Sequence, residues 1–157
     1  MKRIIIGLIC LSFACIGCTP KNDWADWRAQ NEAWMAKNKQ NEGVQVTPTG
    51  LQYKVIQQGV PGSLKPDNEK VVVINYTGTL ITGDVFDSRE NYEATVSGFI
   101  PGFVEGLKRM NQAGRYILYI PADLAYKADG TGSSGEKNFI PPYSTVIFDI
   151  TLLNVYE

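Results

Sequence analysis

Asp87 follows directly on Phe86 in "GDVFDSRENY", just past "KVVVINYTGTLITG", a run rich in β-branched residues. Strand interiors disfavour Asp, and a carboxylate among apolar neighbours is costly unless something pairs with it. Two readings of Asp87 stand at this point: a polar residue that ends a strand, or a charge set on purpose in an apolar pocket. Composition narrows the chemistry available around it. The chain contains no histidine, which excludes the Ser-His and Cys-His nucleophile arrangements and the commonest zinc ligand sets. Any reaction here must run without imidazole as general base, and no metal or cofactor is expected.

The 157 residues suffice for one ordinary domain and a short extension. An apolar content of 44% with 11% aromatics supports a real core, and a net charge of −1 leaves no electrostatic footprint for nucleic acid. All three cysteines lie at the start, in "MKRIIIGLICLSFACIGC". Two basic residues, a short apolar run and a small residue at the boundary describe a secretory signal peptide. The run is too short for a permanent membrane-spanning helix. "CIGC" resembles a bacterial lipoprotein signal, which makes residues 1–17 the expected signal and Cys18, after Gly17, the expected lipidation site. An ordinary cleaved signal with incidental cysteines is the alternative. Once residues 1–17 are removed no pair of cysteines is left for a disulfide, so the domain must be held by its core.

The elements that would carry Asp87 follow in order. "KNDWADWRAQNEAWMAKNKQ", residues 21–40, is helix material with Asn22 or Asp23 as N-cap. Trp24, Trp27 and Trp34 fall on one side of it with Met35, a face that needs burial, and packing on the same chain's own domain is the expected outcome. A Pro-Thr-Gly turn leads into alternation through Leu51, Tyr53 and Val55. "VPGSLKPDNE" reads as a loop, "KVVVINYTGTL" as a strong strand, and "VFDS" and "EATVS" as two short ones. "FIPGFVEGLKRMNQAG" carries Pro101 in the first turn, an apolar face of Phe103, Leu107 and Met110, and Gly114 past the end. A helix over about 101–111 is expected. "RYILYIP" is another strand, "KADGTGSSGEKN" a mobile loop, and "STVIFDITLLNV" a long, covered central strand. Many antiparallel strands around one short helix make an α+β domain.

"VVVINYTGTLITGDVFDS", "GFIPGFVEGLKRM", "IPADLAY" and "IPPYSTVIFDITLL" stand in the order and register of the FK506-binding peptidyl-prolyl isomerases, and "GVQVTPTGLQYKVIQQG" is similar to the lead-in of bacterial secreted members. The resemblance covers about residues 43–156. It implies a twisted antiparallel sheet wrapped around one short helix, with the ligand pocket between them. The chain then divides into a signal (1–17), a tether with the Trp-bearing helix (18–42) and the isomerase domain (43–157).

Carried over position by position, the resemblance makes Asp87, Tyr126, Tyr76 and Phe86 the catalytic group. Ile100, Phe99, Phe103, Phe148, Ile140 and Tyr92 become the substrate-binding residues. Phe103 stands where many members have Trp, and Phe99 where the family has an aliphatic residue. Lys127 follows Tyr126 where the family usually has Gly, so the loop there is expected to leave by another route. The stretch between Asp87 and Phe99 is shorter than usual, the loop over 127–138 is longer, and Arg89 is a candidate for the arginine that supports the pocket Asp.

The implied reaction is rotation about Xaa-Pro bonds of exported proteins, with no covalent step. The implied partners are proline-containing polypeptides, FK506- or rapamycin-type macrolides as ligands, and a membrane reached through the lipid on Cys18. The bacterial cell envelope is the expected location, at the outer membrane or periplasmic face. With only about twenty helical residues before the domain, a monomer is expected. A domain that holds proline segments without turnover is the rival reading.

Overall fold

The computed structural model describes residues 24–157, so the signal segment, Cys18 and the candidate caps Asn22 and Asp23 lie outside the described residues. In chain order the elements are α1 (Ala25–Asn38), β1 (Val44–Val46), β2 (Gln52–Gln57), β3 (Val71–Leu80), β4 (Val85–Thr95), α2 (Pro101–Leu107), β5 (Arg115–Ile120) and β6 (Val146–Tyr156). Short 3-10 turns precede α2, at Val96–Gly98, and follow β5, at Ala122–Leu124.

The six strands form one antiparallel sheet in the order β1-β2-β5-β6-β3-β4. The last strand, β6, is central as its apolar run implies, with β5 on one side and β3 on the other. Strand alternation separates the two faces. Val72, Ile74 and Tyr76 of β3, Leu118 and Ile120 of β5, and Phe148, Ile150 and Leu152 of β6 are buried in one core.

Helix α2 lies on that face, with Pro101 supplying a preset φ at its first turn. Gly102 and Gly106 are its contact with β5. A Cβ at these positions would run into Ile120 and Leu118 respectively, so the helix backbone rests directly on the sheet. The helix is shorter than the expected 101–111. Beyond Leu107 the chain tightens into i→i+3 bonds, Arg109 N–H to Gly106 O at 3.0 Å and Met110 N–H to Leu107 O at 2.9 Å. Lys65 Nζ donates to the carbonyls of Arg109 and Met110, at 3.2 and 3.1 Å, and so satisfies two carbonyls past the helix end.

Two further expectations are corrected. "VFDS" and "EATVS" are not separate strands: β4 runs unbroken along the sheet edge. Its register against β3 shifts between Ile74 and Tyr76, and Asn91 takes a φ of 49° with its N–H on Asn75 Oδ1 at 2.7 Å. This bulge breaks the alternation that would have marked one strand.

Helix α1 spans less than residues 21–40, and its packed stripe is Trp27, Asn31, Trp34 with Met35, and Asn38. It lies on the sheet side opposite α2, where Trp34 tilts against Tyr119 with centroids 5.7 Å apart. The tryptophan face does pack on its own domain, but buried asparagines share the work. Asn38 Nδ2 donates to Gln52 Oε1 at 2.9 Å, and Thr145 N–H donates to Asn31 Oδ1 at 2.8 Å.

Candidate active site

A cavity of about 430 Å³ opens where β3, β4, α2 and β6 meet beneath the loop after β5. Phe148 is its hub. Phe103 from α2 meets it edge-to-face at 4.9 Å, Phe86 from β4 at 5.5 Å and Tyr76 from β3 at 5.8 Å. Phe99, in the chain entering α2, stacks on Phe103 at 4.6 Å. Edge-to-face and offset contacts of this kind are the favoured geometries for aromatic rings, so the rings hold one another as well as the cavity's shape.

Gly78 makes the cluster possible. It occupies an inward position of β3, and a Cβ there would stand 2.6 Å from Phe86 Cζ and 2.8 Å from Phe148 Cε1. The missing side chain is the space that the two rings fill. Gly78 was not among the expected site residues, although a glycine inside a strongly alternating strand is a visible signal of close approach.

Asp87 does not end a strand. It lies within β4, opposite Gly78, with its carboxylate at the cavity wall. The Tyr76 hydroxyl donates to Asp87 Oδ2 at 2.5 Å, and Arg89 Nε stands 3.6 Å from Oδ1. Arg89 also lies over the Tyr92 ring at 5.3 Å. Burial, and then the bond to Asp87, push the Tyr76 hydroxyl well above the usual phenol range. The Tyr126 hydroxyl is raised as well, first by burial and then by the Asp87 charge. Both phenols therefore stay protonated donors at neutral pH. The Tyr126 hydroxyl and the Ile100 N–H line the cavity without a hydrogen-bond partner among the described residues, two donors open to a guest.

Nine of the ten expected site residues within the described chain line this one cavity, and Tyr92 does not. Its ring supports the wall from behind, edge-on to Tyr76 at 6.0 Å and to Phe99 at 6.3 Å. Gly98, Thr131 and Asn138 line the cavity without having been expected. The last two arrive through the loop's path, which no local pattern announces. That loop leaves Tyr126 by a route glycine would take freely. Lys127 itself has a φ of 55°, a left-handed conformation that glycine adopts freely, so the departure is accommodated rather than avoided. Among the described residues no group of three or more His, Cys, Asp or Glu side chains is placed to hold a metal ion.

A six-stranded antiparallel sheet packed on a short helix, with an aromatic cavity and one paired carboxylate between them, is the architecture of an FKBP-like domain. The sequence model of the family described as FKBP-type peptidyl-prolyl cis-trans isomerase matches residues 62–153, and that of the domain amino-terminal to it matches residues 20–55. The chain belongs to the FKBP-type peptidyl-prolyl cis-trans isomerase family. It is 40% identical over 131 residues to the FKBP-type 22 kDa peptidyl-prolyl cis-trans isomerase of Escherichia coli K12, a match covering 81% of this chain and 60% of that protein. It is 41% identical over 132 residues to the outer membrane protein MIP of Legionella longbeachae, covering 82% of this chain and 54% of the other.

Among solved structures, FkpA from Escherichia coli superposes with a TM-score of 0.76 at 38% identity, covering 83% of this chain and 60% of that one. A peptidyl-prolyl cis-trans isomerase from Pseudomonas syringae pv. tomato also superposes at 0.76, with 26% identity and coverage of 86% and 97%. The chain spans 60% or less of the two relatives' lengths.

Proposed function

We propose that this chain is a peptidyl-prolyl cis-trans isomerase acting on Xaa-Pro bonds of polypeptides in the bacterial cell envelope. The observation that carries the reading is the cavity itself: an aromatic socket, a carboxylate held by Tyr76, and open donors at Tyr126 and Ile100. The uncatalysed barrier is about 18–20 kcal/mol because resonance stiffens the C–N bond. At the twisted midpoint the amide loses double-bond character and its carbonyl is less polarised. A dry apolar socket favours that form over the more dipolar planar one. Phe86, Phe103, Phe148 and Ile100 would shape the socket for the proline ring. The Ile100 N–H and the Tyr126 hydroxyl would hold substrate carbonyls, and Asp87 would aim its charge at the twisting imide. No step needs a base or a covalent intermediate, which suits a chain without histidine.

The relatives' names support the reaction class, and the name of the Legionella protein, with the signal-like N-terminus, supports the envelope. In this reading Cys18 carries a lipid and the domain acts as a monomer, with FK506- or rapamycin-type macrolides as ligands of the same cavity. The stretch from Cys18 to Trp24 would then hold the domain within roughly 20 Å of the bilayer. Mass spectrometry of the mature N-terminus and light scattering test the first two points, and displacement of a bound peptide by a macrolide tests the third.

Catalysis is tested by NMR exchange on short Xaa-Pro peptides with the full chain present. Uncatalysed exchange takes tens to hundreds of seconds, so modest catalysis is visible. Acceleration that disappears in folded Asp87→Ala and Tyr126→Ala chains is expected. No acceleration from folded protein that still binds the peptide would assign binding without turnover and overturn the isomerase reading.

A further inference from the structure

One wall of the cavity is a single layer of chain, and α1 holds it from behind. Asn138 and Ile140 face the aromatic cavity. The alternating residues Lys137, Phe139 and Pro141 face a second cleft of about 500 Å³, which Trp27 also lines. Within the loop Thr131 N–H donates to Ile140 O at 2.9 Å and Ile140 N–H to Thr131 O at 2.8 Å, and Phe139 N–H donates to Glu136 O at 3.1 Å. Residues 131–138 are exposed throughout, so they add no buried contact of their own beside Ile140, whose side chain is buried in the core.

Further anchors come from α1. Trp27 Nε1 donates to Ser144 Oγ at 3.0 Å, and the Ser144 hydroxyl donates in turn to Pro141 O at 2.7 Å. Asn31 Oδ1 accepts from Thr145 N–H at 2.8 Å, while its Nδ2 is tied to Trp27 O at 2.8 Å. Trp24 tilts against Phe139 at 6.2 Å, and Arg28 lies over the Tyr143 ring at 5.0 Å. Ser144 and Thr145 are each only 2% exposed, so losing the α1 partners would leave the buried Thr145 N–H unpaired and the Ser144 oxygen without its donor. The loop is held at its base by Tyr143 N–H on Lys127 O at 2.7 Å, and both residues have positive φ, 62° and 55°. Left-handed backbone at two non-glycine residues persists only where the surroundings enforce it, and α1 supplies those surroundings at Tyr143.

We propose that Trp27 and Asn31 are positioning residues for the substrate wall. Through Ser144 and Thr145 they set Ile140 against the bound peptide, so the N-terminal helix governs how tightly residues beside the proline are held. This rests on the isomerase reading of the cavity. Neither residue touches the aromatic rings or Asp87, so the effect belongs to binding rather than to the rotation step.

The test compares Trp27→Phe, which keeps a ring and loses the N–H, with Asn31→Leu and Ser144→Ala, all in the full chain. Amide exchange at Thr131 and Ile140 is read by NMR beside that of Tyr76 and Phe148, and KM and kcat are measured on an Xaa-Pro peptide. The wall amides are expected to exchange about ten-fold faster, equivalent to roughly 1.4 kcal/mol, with the strand amides unchanged. KM should rise several-fold while kcat holds, and Trp27→Phe should add little to Ser144→Ala because both cut one link. Unchanged exchange at the wall overturns the proposal, and so does equal acceleration at Tyr76 and Phe148, which would mean plain destabilisation. If the parent chain does not accelerate Xaa-Pro exchange, the isomerase reading fails by itself. The wall amides and the peptide dissociation constant then still decide whether α1 braces the wall.

Discussion

Replacing Tyr76 with Phe deletes one oxygen and leaves the ring contacts to Phe103, Phe148 and Tyr92 in place. What is lost is the 2.5 Å bond to Asp87 Oδ2. A hydrogen bond to a charged group contributes roughly 1.5–3 kcal/mol. The Asp87 side chain is 39% exposed, so water will take up the freed oxygen and the lower end, about 1.5 kcal/mol, applies. In a chain of this size about 1 kcal/mol moves Tm by roughly 2–4 °C, so calorimetry should show a fall of about 3–6 °C. The freed carboxylate can turn toward Arg89, and kcat/KM should drop about ten-fold, corresponding to roughly 1.4 kcal/mol of transition-state stabilisation. The double variant with Asp87→Ala should lose clearly less stability than the sum of the singles.

An alkaline arm checks the same bond. The folded Tyr76 hydroxyl titrates above its ordinary value of 10.0 because of burial and Asp87. The stability it contributes is therefore complete below that value and is lost as pH rises past it toward the folded value. The parent should lose stability more steeply above about pH 10 than Tyr76→Phe does. Single variants that add within about 0.5 kcal/mol, or identical alkaline profiles, would refute the claim that Tyr76 holds the carboxylate.

Gly78→Ala should cost about 1–3 kcal/mol by overpacking and should reduce peptide exchange more than Tm suggests, because the displaced rings, Phe86 and Phe148, are the socket. Arg89→Gln should change stability by less than about 1 kcal/mol, since both partners of the pair are substantially exposed. Any effect of that change on kcat/KM should shrink in a salt titration. Tyr126→Phe should raise KM through loss of one open donor. In the parent, activity should stay flat between about pH 6 and pH 9, because the raised Tyr126 hydroxyl remains protonated across that range. A pH–rate profile checks this.

Much of this site was legible because its residues lie in short, strongly patterned segments. The alternation of β3, the Pro101 start of α2 and the long apolar run of β6 each announced an element. Tyr76, Phe86, Phe103 and Phe148 came with the motifs those elements carry. What escaped were features set by tertiary contact. The bulge at Asn91 hid the continuity of β4, and α2 tightens into i→i+3 bonds past Leu107. Asn31 and Asn38 carry no apolar signal, yet both are buried, with partners far along the chain at Thr145 and Gln52. Tyr92 is expected in the cavity from its match to a further aromatic of the family, and it stands one layer behind, edge-on to Tyr76. Thr131 and Asn138 enter through a Gly- and Ser-rich loop whose course depends on the left-handed turns at Lys127 and Tyr143.

The division of labour in the site follows from where each part sits in the sheet. Phe148, which touches rings from three other elements, is on β6, paired along its length with both β5 and β3. Opening such a strand costs close to global unfolding, so in the proposed reaction the grip on the proline ring comes from the least deformable place in the domain. Asp87 is on the edge strand β4, paired on one side only, and Ile140 is on a loop held by a few backbone bonds and by α1. These are the parts free to adjust. A rotating amide needs its ring held still while the carbonyl side sweeps past a charge and a wall. A socket on the central strands, with the charge and the wall on elements of lower local stability, meets both needs with no mobile catalytic base.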